Sequence, residues 1–292
     1  MSSNPRIPYE MAQRTAGLPG PGGKNLIIHL VVNVEAWVFD AAMPRKILPG
    51  PHGHEQVPDI PNFSWAEYGM RCGMPRILDM LADRSLPAST SINASVVDLY
   101  PDCVRAMHDA GWEFIGHGMH QKSIQAEADE GALITAALDK LKAFTGTATR
   151  GWLGPGLRET ADTPDLLKAG GVDYVCDWVL DDVPVWMTTR NGPMIAMPYS
   201  LEINDSILYA VEKHTSSEIY TRAHDALEAL TPELEHGARV FTIGLHPHLI
   251  GVAHRIGYLA KILDELEARS DVVFMTGSQI ADWFIGHRPE PG

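Results

Sequence analysis

Short apolar runs alternate with amphipathic stretches along most of this 292-residue chain, and that alternation limits the architectures open to it. The clearest run is Leu26-Ile27-Ile28-His29-Leu30-Val31-Val32. It has strand length, is rich in β-branched residues and shows almost no polar alternation, which marks a strand buried on both faces in a parallel sheet. Further strands are expected at 87–93, 112–115, 151–153, 172–178, 194–198, 239–245 and 272–275. Helical spacing of apolar residues falls between them, at 65–84, 101–110, 132–144, 164–169, 217–230, 256–268 and 279–284. Strands separated by helices are βαβ units, and about seven parallel strands in one chain point to a barrel rather than an open sheet.

The expected organisation is a loose N-terminal arm over 1–24, one barrel domain over 25–286 and a short tail over 287–292. The Pro/Gly/His-rich stretch Met43 to Pro61 exceeds an ordinary connection and reads as a cover over the barrel mouth. At 45% hydrophobic and 21% charged residues, the chain can bury a large core. Its formal charge of −14 disfavours phosphate backbones and anionic membranes, so neither nucleic acid nor a membrane is an expected partner. Cys72, Cys103 and Cys176 form no CxxC pair and read as buried thiols of a reducing compartment. With no signal-peptide pattern at the N-terminus, the expected location is cytoplasmic. A homo-oligomer is expected on general grounds of symmetry.

In a parallel barrel, reactive groups come from the C-terminal ends of strands. Asn33 and Glu35 follow the first strand and share one side by the two-residue period. Polar groups there are costly unless they bind something. Gly116-His117-Gly118-Met119-His120-Gln121 follows another strand, and His246-Pro247-His248 follows the apolar run ending at Leu245. Asp181 and Asp182 lie beyond a further strand, where one of them is a candidate to orient an imidazole and raise its pKa. The chain has no GxSxG, GxxxxGK[ST] or HExxH motif, which removes the serine-hydrolase elbow, the phosphate loop and the helical zinc-protease site.

Taken in order, Val32-Asn33-Val34-Glu35, Gly116-His117-Gly118, Gly151-Trp152-Leu153-Gly154-Pro155-Gly156, Asp177-Trp178 with Asp181-Asp182, and Leu245-His246-Pro247 resemble the polysaccharide deacetylase superfamily. This is the NodB-homology group, carbohydrate esterase family 4. The closer likeness is to its intracellular branch of allantoinases and cyclic imide hydrolases, and it runs from about Leu26 to Phe284. The resemblance implies a distorted (β/α) barrel with fewer than eight strands. In the family pattern two aspartates follow the first strand, one a base and one a metal ligand, and an H-x-x-x-H pair supplies two further ligands. Here the base position holds Asn33, the ligand positions hold Glu35, His117 and Gln121, and the late acid is His246. Two of those positions depart from the metal-dependent pattern, because an amide is neither a base nor a good zinc ligand.

The resemblance therefore implies either a divalent cation, zinc foremost, or a changed centre that works without one. The leading expectation is a hydrolase of C–N bonds in a small amide, ureide or cyclic imide. Glu35, its pKa raised by burial against Trp37, holds or deprotonates water. Asn33 donates to a substrate carbonyl, and His246 protonates the leaving nitrogen with Asp182 or Asp181 in support. Trp37, Trp152, Asp181, Tyr199 and Asn204 are the expected substrate contacts. The alternatives are a metal-dependent N-deacetylase of an acetylated sugar and a ligand-binding barrel without catalysis.

Overall fold

In the computed structural model, which describes residues 3–12 and 17–291, the first apolar run forms β1 (Leu26–Val34), and each of its nine residues is buried. Helices α1 (Ile60–Tyr68) and α2 (Met74–Asp83) follow the Pro/Gly-rich loop, with a π-helical turn, Gly69–Gly73, between them. The chain continues through β2 (Ser89–Ile92), α3 (Val96–Leu99), α4 (Pro101–Asp109), β3 (Glu113–Gly116), α5 (Glu130–Thr145), β4 (Gly151–Trp152), α6 (Thr163–Ala169) and β5 (Tyr174–Val175). The hairpin β6 (Val185–Thr189) and β7 (Gly192–Ala196) precedes α7 (Glu218–Leu230), β8 (Arg239–Leu245), α8 (Ile256–Glu267), β9 (Val272–Phe274) and α9 (Gly277–His287).

The strands form one curled sheet in the order β6-β7-β5-β4-β3-β2-β1-β8, with β9 paired to the start of β1. Pairing is parallel except between β6 and β7. The sheet is a half-barrel, and irregular backbone completes its far side. Val240 N donates to the Asp182 carbonyl, Thr242 Oγ1 to the Pro198 carbonyl, and Gly244 N to the Ile203 carbonyl. Two features differ from expectation. The single strand foreseen at 194–198 is the second arm of a hairpin turned at Arg190-Asn191, and the strand foreseen at 172–178 is only the two residues of β5.

The two-residue period of β1 divides the core into two layers. Leu26, Ile28, Leu30, Val32 and Val34 pack outward among α2, α4, α5 and α8 side chains. Ile27 and Val31 face a lumen shared with Ile115, Tyr174, Cys176, Ile195 and Tyr199. Ile280, Ala281 and Phe284 of α9 close the lumen at the end where the strands begin. The described part of the N-terminal segment packs against the barrel. Ile7 is buried, and Arg6 pairs with the buried Asp165 of α6 at 2.7 Å. Leu18 and Pro19 are tied to Ala238 and Trp283 through their carbonyls.

Candidate active site

Parity places Asn33 on the lumen side of β1, and Glu35 follows where the strand opens into the barrel mouth. Asn33 Nδ2 donates to Tyr199 Oη at 3.0 Å and to the Leu245 carbonyl at 3.2 Å. Both of its protons are thereby committed, so the expected donation to a substrate carbonyl is corrected: Asn33 ties β1 to β8 and to the segment after β7. Tyr199 Oη also accepts from Asn204 Nδ2 at 3.3 Å, and Asn204 Oδ1 accepts from Ser206 N at 3.0 Å. Tyr199 and Asn204 thus build the wall behind the site.

Glu35 has a buried side chain. Trp37 Nε1 donates to its Oε2 at 2.9 Å, and its Oε1 lies 3.6 Å from His246 Nε2. Burial pushes this carboxyl up, but the hydrogen bond and charge of His246, with the charge of Arg45, outweigh it and hold the pKa below the usual carboxylate range. The expectation that Trp37 raises it is therefore reversed. The indole is itself a hydrogen-bond donor to the anion.

His246 follows β8 and is anchored by Asp205, not by Asp181 or Asp182. Its Nδ1 donates to Asp205 Oδ1 at 2.6 Å, while Asp205 Oδ2 accepts from the backbone N of His246 at 2.7 Å and of Ile250 at 3.0 Å. Asp205 is fully buried. Burial pushes the His246 pKa down, yet the charge and hydrogen bond of Asp205, followed by those of Glu35, raise it to about 9. At neutral pH the pair is a carboxylate facing an imidazolium. Asp182, by contrast, lies beside the start of β8, where its carbonyl accepts from Val240 and where Arg239 is its nearest opposing charge. That is the opposite end of the strand from His246, so Asp181 and Asp182 are outside the site.

His117 is buried after β3, and its Nδ1 donates to the Leu153 carbonyl. Burial lowers its pKa despite the nearby Glu35 charge. Gln121 lies by the His117 ring, its Oε1 without a partner, and its backbone N donates to the Ala36 carbonyl at 3.0 Å. Asn93 joins these loops by accepting from Ala36 N at 2.8 Å and donating to the His117 carbonyl. His248 is buried edge-on to Trp65 at 4.7 Å and Trp37 at 5.4 Å between ring centroids. Burial pushes its pKa down to about 3, so this second imidazole is neutral.

Two glycines seat the His246–His248 loop. A Cβ on Gly69 would lie 2.4 Å from His248 N, and one on Gly73 would lie 2.0 Å from the Pro247 carbonyl oxygen. Only bare backbone lets the α1–α2 junction approach so closely. Trp152, an expected substrate contact, is fully buried in the layer facing the helices, with its edge against Gly116. It is core. Asp177 accepts from Gly154 N at 2.8 and 2.9 Å and so shapes the turn after β4.

The residues do not fit a divalent ion. Among the described residues no three His, Cys, Asp or Glu side chains gather as a metal site. The expected set of Glu35, His117 and Gln121 offers one carboxylate already held by Trp37, one imidazole and one amide, which is a poor donor set for zinc. Sequence reasoning missed Asp205 as the anchor of His246 and gave His248 no role of its own. The polar run Tyr199 to Asp205 was the available signal for the first of these.

The sequence pattern of the polysaccharide deacetylase family matches residues 65–175. A putative polysaccharide deacetylase of Schizosaccharomyces pombe is 28% identical, with 92% of this chain and 93% of the relative covered. A peptidoglycan deacetylase of Helicobacter pylori is 21% identical over 82% of this chain and 92% of its own length. The crystal structure of PuuE allantoinase superposes with a TM-score of 0.83 at 25% identity, covering 93% of this chain and 94% of that one. The chain is thus similar to polysaccharide deacetylases in sequence and to an allantoinase in fold. Members of that family are hydrolases acting on C–N bonds, and its carbohydrate esterase members are generally metal-dependent.

Proposed function

We propose that this protein hydrolyses a non-peptide C–N bond in a small planar amide, ureide or cyclic imide. The observation that carries the reading is the buried line Asp205–His246–Glu35, with contacts of 2.6 Å and 3.6 Å, in a mouth walled by Trp37 and Trp65. An imidazolium with a pKa near 9 is a ready general acid for a departing nitrogen. Glu35 holds the attacking water and takes its proton as His246 gives one up, because losing the imidazolium charge restores basicity to the carboxylate. Asp205 keeps the ring oriented with Nε2 toward the reaction. The departure at Asn33 and Gln121 from the metal-dependent pattern and the likeness to an allantoinase support a small ring over a polymer.

The printed names of the two curated relatives favour a second reading, N-deacetylation of an acetylated sugar. The test is turnover of allantoin, hydantoin, succinimide and N-acetylglucosamine oligomers, each before and after chelation. Ring opening that survives chelation is the expected result. Release of acetate alone, abolished by chelation, would replace the first reading by the second.

A further inference from the structure

Glu35 and His246 account for the movement of protons, but they do not choose the ring on which those protons act. The residue two places after His246 bears on that choice. The His248 ring lies 5.8 Å from the His246 ring and 5.4 Å from Trp37, whose Nε1 donates to Glu35 at 2.9 Å. Trp65 meets it edge-on at 4.7 Å, and the two indoles are 6.1 Å apart. The backbone of His248 is pinned as well. A Cβ on Gly69 would lie 2.6 Å from its Cα and from its Cβ, so the α1–α2 junction fixes where the residue stands.

His248 Nε2 is buried and has no partner. Of the buried side-chain atoms without a partner among the described residues, it belongs to the one ring in contact with His246. An aromatic cluster needs no polar atom at that place. Phenylalanine would fill the space without leaving a nitrogen unpaired, which is costly in the free protein. Burial, joined by the charge of His246, keeps the ring neutral against the pull of Glu35, with a pKa of about 3. A neutral imidazole carries one proton, and its other nitrogen accepts. Gln121, tied through its backbone N to the Ala36 carbonyl next in sequence to Glu35, has a second open buried atom, Oε1. That oxygen also accepts only, so a ligand that satisfies it brings N–H groups to the centre.

We propose that His248 is a specificity-determining residue which, with its proton on Nδ1, accepts at Nε2 a ring N–H outside the scissile bond. The inference deepens the C–N hydrolase reading above and rests on it. His248 selects a ureide ring, with N–H groups on both sides of a carbonyl, over a cyclic imide, which offers CH2 at that position. An imide leaves Nε2 unpaired against a methylene, and a site built to hydrogen-bond a substrate rejects an analogue lacking the group. The proton for the departing nitrogen still comes from His246, and His248 takes no part in bond breaking.

The experiment measures kcat and KM of the wild type, His248→Phe and His248→Gln on hydantoin and succinimide, with melting temperature as the folding control. The two rings are equal in size and differ by N–H against CH2 at one position. His248→Phe should lower kcat/KM on hydantoin by about 10- to 100-fold, carried by KM with kcat within about threefold, and on succinimide by less than about threefold. His248→Gln, whose amide oxygen accepts, should recover part of the loss on hydantoin. The ratio between the substrates cancels a general loss of fold or of acid function, so a merely structural role would not move it. The wild type supplies a check that needs no variant: kcat/KM on 1-methylhydantoin, which lacks the N–H, should be at least about tenfold below that on hydantoin. Equal losses on both rings, hydantoin turnover untouched by His248→Phe, or equal use of hydantoin and its 1-methyl derivative would overturn this inference and leave the proposed function standing. No ring opening by the wild type would defeat both.

Discussion

Two buried polar constellations occupy the two ends of the lumen, and they differ in how completely they are bonded. At the end where the strands begin, Glu113 accepts from Tyr174 Oη at 2.8 Å, Ser89 Oγ at 2.8 Å and Ser278 N at 3.0 Å, and from Ser278 Oγ. His29 joins through Ser89 at 3.0 Å. This carboxylate sits at the N-terminus of α9, where the helix dipole also favours it. The cluster is inward-facing and nearly saturated, so it locks α9 under the barrel. At the mouth, Arg45 Nη1, Gln121 Oε1 and His248 Nε2 are left open around Glu35. At the base most polar groups are bonded and hold the fold, whereas the mouth keeps several polar atoms open.

Replacing one member in each cluster should separate these roles. Asp205→Asn should cut kcat by at least about a hundredfold, since it removes the charge that orients and protonates His246. The alkaline inflection of its pH–rate profile should fall from about 9 toward the ordinary histidine value. An unmoved inflection would mean that Asp205 does not control the acid. Glu113→Gln should instead destabilise the fold by about 1–3 kcal/mol, read by urea unfolding, with kcat of the folded protein unchanged. A catalytic loss there without a stability loss would blur the division between the ends.

The two histidines also predict opposite pH dependences of stability. Burial lowers the His29 pKa to about 4. The unfolded chain then takes up a proton that the native state refuses, so stability should fall as pH drops from the ordinary histidine value through about 4. The effect is on the order of 3 kcal/mol. His246, raised to about 9, contributes stability that is full below the ordinary histidine value and is lost as pH rises through about 9. Unfolding titrations of His29→Gln and His246→Gln should each flatten one limb, and flattening of the wrong limb would reverse the assignment. The smallest effect belongs to Trp152→Phe. Its buried Nε1 has no partner, so the change should cost about 1–2 kcal/mol through lost packing and leave KM within about twofold. A large KM change would return Trp152 to the substrate.

Most of the barrel was legible because its strands are local patterns. β1 and β8 are continuous apolar runs, and the histidines after β3 and β8 stand at strand exits. The β6–β7 hairpin was less legible, although Asn191-Gly192 marked its turn and Gly192 takes a φ of 109°. The partners of the catalytic groups were hidden for a different reason. Asp205 reaches His246 across 41 residues from an irregular segment, and no periodicity reports such a contact. Asp181 and Asp182 looked equivalent to it in the sequence, because only the folded register shows that they meet the other end of β8.

The central claim is that Glu35 and His246 act as one unit on a C–N bond. Its most direct test is the turnover of Glu35→Gln, His246→Ala and the double variant on whichever ring substrate the wild type opens. Each single variant should lose at least about a hundredfold in kcat, and the double should lose little more than the worse single, as members of one machine do. Near-wild-type rates in both singles, with the fold intact, would contradict the account.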